Sequence, residues 1–137
     1  MKERTKSIAV NVAVISVAAV LLIWGNTWYR QRTQFNRGEA ALASRDYMTA
    51  IAGYEAAIHM YTPGSPLVGK AAERLWSLGQ QFEQAGDVRR ALIAYRSLRS
   101  SYYAVQGLTA PGQDRIARCD EKIAALVRAQ SRSVPQQ

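Results

Sequence analysis

From Ile8 to Trp24 the chain reads IAVNVAVISVAAVLLIW, and no charged residue interrupts it. A helix built from these residues is apolar on every face, so it has no side suited to water. Extended to Trp28, the stretch reaches the roughly 20 residues that a helix needs to cross a bilayer. Asn11 and Ser16 are polar but neutral, and both can bond locally or to a neighbouring helix. Trp24, Trp28 and Tyr29 stand at the distal end, where amphipathic rings prefer the headgroup zone. Residues 8–28 therefore predict a transmembrane signal-anchor helix behind a short basic flank, 1–7, in which Lys2, Arg4 and Lys6 outnumber Glu3. A cleaved signal peptide would need small residues after the apolar run. Here the run ends in Trp24-Gly25-Asn26-Thr27-Trp28.

Basic residues flank the span on both sides, Lys2, Arg4 and Lys6 before it and Arg30, Arg32 and Arg37 after it. The positive-inside rule therefore does not decide orientation. Single N-terminal anchors commonly leave the N-terminus in the cytoplasm, which predicts a single-pass protein of a bacterial inner membrane with a periplasmic C-terminal domain. No proline occurs between Gly25 and Tyr61. The anchor is thus expected to run without a break into the first soluble helix, about Asn26–Ser44.

The rest of the fold follows from Leu75–Arg99, LWSLGQQFEQAGDVRRALIAYRSLR. Leu75, Leu78, Phe82 and Ala85 recur at steps of three and four, which makes one apolar helical stripe. Gly86 ends that helix, because glycine takes the left-handed C′ conformation without a Cβ clash. Asp87 is the N-cap of the next helix. Val88, Ala91, Leu92, Tyr95 and Leu98 form the second stripe. Two stripes across so short a turn predict an antiparallel helical hairpin.

Phe35–Ile58 repeats the arrangement in weaker form. Gly38, Asp46, Tyr47, Ala50 and Tyr54 stand 41 residues before Gly79, Asp87, Val88, Ala91 and Tyr95. Arg45 takes the place of Gly86, and Ala41 that of Phe82. The pattern Leu78-Gly79, Phe82, Gly86, Ala91 and Tyr95 resembles that of the tetratricopeptide-repeat (TPR) family, in which small and large residues alternate along two packed helices. The spacing is about seven residues longer than the ~34 of a standard unit. The resemblance implies an all-α, TPR-like domain over 29–131. It also implies that the first helix of each pair lines a ligand face. Carried over position by position, that face holds Arg32, Phe35, Glu39 and Leu42, then Glu73, Trp76, Gln80 and Glu83. Trp76 lies off the Leu75–Phe82 stripe. It is either an interface anchor of the kind indoles commonly supply or a ring covered by another part of the chain.

The extra residues fall in Met60–Lys70, a linker in which Pro63 and Pro66 stop one helix and start the next, with Ser65 as N-cap. Such a linker is either a contact surface or a spacer. Tyr102–Gly112 is a second loop. Gln113–Ala129 carries Ile116, Cys119, Ile123, Leu126 and Val127 on one stripe and is expected to close the domain as a C-terminal capping helix. Residues 132–137 are expected to be a frayed tail.

Nothing in the sequence carries chemistry. His59 has only Glu55 one turn away, which predicts a surface pair rather than a metal site. No Gly-rich phosphate loop and no nucleophile turn occurs. The single cysteine, Cys119, excludes an internal disulfide and a cysteine-based zinc site, and its stripe predicts burial. No catalytic residue, metal, cofactor or small-molecule ligand is therefore expected. The net charge is +8, which raises direct binding to nucleic acid or to an anionic lipid surface as an alternative. Nucleic acid is disfavoured, because no basic run with interleaved aromatics occurs. The reading that remains is an adaptor or accessory subunit that meets other protein subunits of a membrane complex.

Overall fold

The computed structural model describes residues 2–62, 64–107 and 110–133. Among them the chain is all-α, with five helices and no strand: α1 (Lys2–Ala43), α2 (Tyr47–His59), α3 (Leu67–Gln84), α4 (Val88–Ala104) and α5 (Gln113–Ser133). The uncharged run and the first soluble helix form one unbroken element, α1, about 60 Å long at 1.5 Å per residue. Its most apolar 18-residue window has a mean hydropathy of 2.4, and none of that window is buried. By length and composition α1 can cross a membrane.

Beyond that window α1 acquires a packed face. Gln31, Gly38 and Ala41 are buried, and Phe35 and Leu42 are half-buried. The stripe packs on α2, and α3 packs on α4 in the same way. Gly38 and Gly79 are where each pair comes closest. A Cβ on Gly38 would lie 2.8 Å from the Tyr54 ring, and one on Gly79 would lie 2.6 Å from the Tyr95 ring. Each tyrosine is fully buried and meets a second ring on the opposite helix, Phe35 at 5.7 Å and Trp76 at 5.1 Å. The 41-residue repeat of the sequence is therefore also a repeat of contacts.

The two hairpin turns are built alike from different residues. Gly86 has φ +74°, and the Asp87 N–H reaches back to the Phe82 carbonyl at 2.9 Å. Arg45 has φ +61°, and the Asp46 N–H reaches the Ala41 carbonyl at 2.9 Å. Arginine pays a steric cost of about 1 kcal/mol in that left-handed region, which glycine avoids. Both aspartates then cap the next helix, Asp46 on the Thr49 N–H at 3.2 Å and Asp87 on the Arg90 N–H at 3.0 Å.

Three boundaries differ from expectation. The third helix begins at Leu67, one residue after Pro66, and the Ser65 hydroxyl accepts the Leu67 N–H at 3.3 Å. The fourth helix continues to Ala104, because Ser101 and Tyr102 are buried against the rest of the domain. The last helix continues to Ser133 and takes in the first two residues of the expected tail; residues 134–137 lie outside the described residues, as does Pro63. Ile116, Cys119 and Leu126 of α5 are buried, Ile123 is half-buried, and Val127 remains 41% exposed. The core is continuous through α2, α3, α4 and α5.

Candidate functional site

The first helices of the two hairpins, together with α5, are cross-linked along one face. Glu39 of α1 is the first junction. The Tyr54 hydroxyl donates to its Oε1 at 2.6 Å, and Arg74 of α3 binds both oxygens, Nε at 2.8 Å and Nη2 at 2.9 Å. Glu83 of α3 repeats the device toward α5. It accepts the Tyr95 hydroxyl at 2.9 Å and Lys122 Nζ on both oxygens at 2.9 Å. In each case a tyrosine of the second helix fixes a carboxylate on the first, and the carboxylate holds a cation on the next helix along. Charge-assisted bonds of this kind are stronger than neutral ones, although partial exposure keeps their net worth modest.

These contacts set the ionisation of both groups. Burial pushes the Glu39 carboxyl up, but the Tyr54 hydroxyl and the Arg74 guanidinium outweigh it and hold the pKa below the usual value. Lys122 does the same for Glu83, against burial and with help from Tyr95. Burial and the facing carboxylates push both tyrosine hydroxyls well above their ordinary range, so each remains a donor at any physiological pH. Because the two folded-state carboxylate values are depressed, their stabilisation is complete above the ordinary glutamate pKa of about 4.3. It is lost as pH falls through the folded values. The thermal midpoint is therefore expected to drop as pH falls from about 5 to 3. A Glu39→Gln/Glu83→Gln variant should start lower at pH 7 and show a shallower drop. A parallel acid limb in the two proteins, followed by near-ultraviolet circular dichroism, would contradict this assignment.

The expected ligand-face residues fall into distinct settings. Phe35, Glu39 and Glu73 line one recess with Lys70, Arg74 and Ser77, about 490 Å³ in volume. Glu73 also borders a second recess of about 240 Å³ with Trp76, Leu98, Arg115 and Arg118. Glu73 is exposed and lies 3.9 Å from Arg115. Trp76 is half-buried between two groups, the Tyr95 ring and the Arg118 guanidinium, which stands 4.4 Å over its centroid. Part of the indole is thus covered by α5, and the rest opens on the second recess. Arg32 and Gln80 are exposed and line neither recess. Glu83 is half-buried and occupied as described.

Near the middle of α1, at the end of its uncharged run, Trp24 and Trp28 stack with centroids 6.5 Å apart, and Tyr29 is 70% exposed. One residue in this region carried no functional expectation. Gln31 is fully buried, its Nε2 donates to the Ala57 carbonyl at 3.0 Å, and its Oε1 accepts the Ser65 hydroxyl at 2.6 Å. It bolts α1 to the end of α2 and to the α2–α3 loop, two residues beyond Tyr29. The available signal was its place on the stripe Gln31–Phe35–Gly38–Leu42.

The expected His59–Glu55 pair does not form. Glu55 accepts the Ser97 hydroxyl at 3.4 Å instead, because α4 packs alongside α2 at that level. Cys119 is fully buried, and burial, with the nearby Asp120 carboxylate, pushes its thiol up to about 11, so it is protonated and inert at neutral pH. Among the described residues no three His, Cys, Asp or Glu side chains gather as metal ligands would. No family model matches the chain, and no curated protein or solved structure is significantly similar to it.

Proposed function

We propose that the chain is a non-enzymatic, single-pass membrane protein whose TPR-like domain serves as an adaptor or accessory subunit, docking another protein of a membrane assembly. The observation that carries this reading is the continuity of α1. An unburied apolar rod passes without a break into the helix that walls the first recess. So large an exposed apolar surface is not tolerated in water, and lipid is its natural solvent. The domain on its end is then presented at a fixed height. Its cytoplasmic N-terminus and periplasmic domain remain part of the proposal.

The repeated contacts of the two hairpins support the TPR-like reading. A capping role for α5 has its own support. Both α1 and α3 carry a glycine where their partner helix crosses, whereas α5 contains none. A further helix would lack that close crossing on α5, which supports a capping role. Binding is assigned to the recesses on the α1–α3–α5 face, where Phe35 and Trp76 offer partly covered rings. Lys70, Arg74, Arg115 and Arg118 there outnumber Glu39 and Glu73. A protein segment with aromatic or aliphatic anchors and some negative charge fits that lining.

Cross-linking and co-purification of the full chain in mild detergent test the proposal. A discrete partner protein should co-elute. A Lys70→Glu variant, altered at an exposed position of that lining, should retain it about tenfold less well with a nearly unchanged unfolding midpoint. A chain that always runs alone, or a partner retained equally by the variant, would defeat the reading.

A further inference from the structure

The loop between α2 and α3 has an unusual composition for a surface connection. Met60–Pro66, MYTPGSP, contains no acidic or basic residue, and Lys70 is the first charge after it. Met60 and Tyr61 stand at its start, and an amphipathic ring such as that of Tyr61 suits the boundary between headgroups and acyl chains.

The loop also lies low on α1. Tyr61 and Thr62 wall a recess of about 300 Å³ whose opposite wall is Val20, Ile23, Trp24 and Thr27. Those four residues share one face of α1 and belong to the span itself. Val20 is about 12 Å below Trp28 along the helix axis. Suppose the hydrocarbon ended beneath the loop, at Val20. The apolar residues left, Ile8–Ala19, would cover only about 18 Å of a core roughly 30 Å thick. The bilayer must therefore rise to the level of Trp24 and Trp28, and the loop stands at that level beside it.

We propose that the α2–α3 loop is a second membrane contact, with Tyr61 seated in the headgroup zone and the recess filled by the upper acyl chain of a surrounding phospholipid. The proposal rests on residues 8–28 spanning the bilayer. Several of the loop's polar groups are suited to that position because they already have partners within the protein. The Thr62 hydroxyl donates to the Met60 carbonyl at 3.1 Å, the Ser65 N–H donates to the Thr62 carbonyl at 3.0 Å, and the Ser65 hydroxyl is held by Gln31. Backbone groups paired in this way can enter a region poor in water. Tyr61 itself remains 41% exposed, with no protein surface to cover it fully. A domain held by the rod and by this loop cannot swivel, so the partner-facing recesses keep one direction relative to the membrane.

The test uses the full chain, with Cys119→Ala, in nanodiscs of phosphatidylcholine and phosphatidylglycerol. Nitroxide labels are placed at Val17→Cys, Tyr61→Cys and Arg96→Cys, one per protein. Oxygen partitions into lipid and a charged nickel complex into water. The ratio of the two accessibilities at residue 61 should exceed that at residue 96 at least about threefold and fall below that at residue 17. A ratio at 61 equal to that at 96, with 17 deep in lipid, overturns the second contact and leaves the anchor standing. A water-like ratio at 17 overturns both. Should the Tyr61 variant not fold, the unaltered chain can be cross-linked to a phospholipid carrying a photoreactive group high on its acyl chain. Adducts on the Tyr61 peptide support the contact, and adducts confined to α1 overturn it.

Discussion

Valine at position 53 is expected to destabilise the domain by about 3 kcal/mol, a large share of the stability of a domain of this size. A Cβ on Gly53 would lie 2.7 Å from the Gly38 nitrogen, 2.8 Å from the Gly38 Cα and 3.0 Å from the Gln34 carbonyl oxygen. All three neighbours are backbone atoms of α1, so no side chain can swing aside. The only relief is to part α1 from α2, which would open the packing around Tyr54. A helix-interior glycine costs about 1 kcal/mol relative to alanine, and this close crossing offsets that cost. Gly69, also in a helix, has nothing within 4 Å of its Cβ direction. Gly69→Ala should therefore raise stability by about 0.5–1 kcal/mol. Thermal unfolding in mild detergent compares the two directly. Equal effects at 53 and 69 would show that the helices do not meet at Gly53.

Gln31→Leu is expected to cost about 2–4 kcal/mol, although it keeps the side chain's bulk and adds apolar character. The Ala57 carbonyl belongs to the last turn of α2, where helix carbonyls lack an intrahelical donor. The Gln31 amide supplies that donor, and its oxygen takes the Ser65 hydroxyl. With leucine in place, the buried Ala57 carbonyl and the half-buried Ser65 hydroxyl lose these partners. Because Gln31 ties the α2–α3 loop to α1, hydrogen exchange should also quicken in that loop before it does in α3 or α4. A leucine variant as stable as the parent, with unchanged loop protection, would mean that the buried amide is not a fastening.

Much of this architecture was legible in local sequence. Gly86-Asp87 marks a helix stop and the next start within two residues, and the structure uses both. The equivalent stop at Arg45 was legible only through the repeat, because arginine gives no turn signal of its own. The constant spacing marked Gly38 with Gly79 and Tyr54 with Tyr95 as equivalent positions, and the packing shows that each glycine meets its tyrosine. Gly53 was not legible, since among Ala52, Ala56 and Ala57 it reads as one more small residue.

The face carrying Glu39, Trp76 and Glu83 was legible as a face but not in its bonding. Arg74 and Lys122, which engage the two carboxylates, are 35 and 39 residues away in sequence. Periodicity within one helix carries no information about them. Arg118 is similarly remote from Trp76, so only the packing of α5 reveals that the indole is partly covered. For the same reason Met60–Lys70 could be recognised as a long linker, while the approach of Tyr61 and Thr62 to Val20–Thr27 of α1 could not.

The central claim is that a single unbroken helix both crosses the bilayer and builds the domain wall. It is tested most directly by pulsed electron-spin distance measurement on Val17→Cys/Arg37→Cys in the Cys119→Ala chain, in lipid nanodiscs. Both positions are exposed on α1, and twenty residues of continuous helix separate their backbones by about 30 Å. One narrow distance distribution near that value is predicted. A broad distribution, or a clearly shorter distance, would place a hinge between anchor and domain and contradict the account.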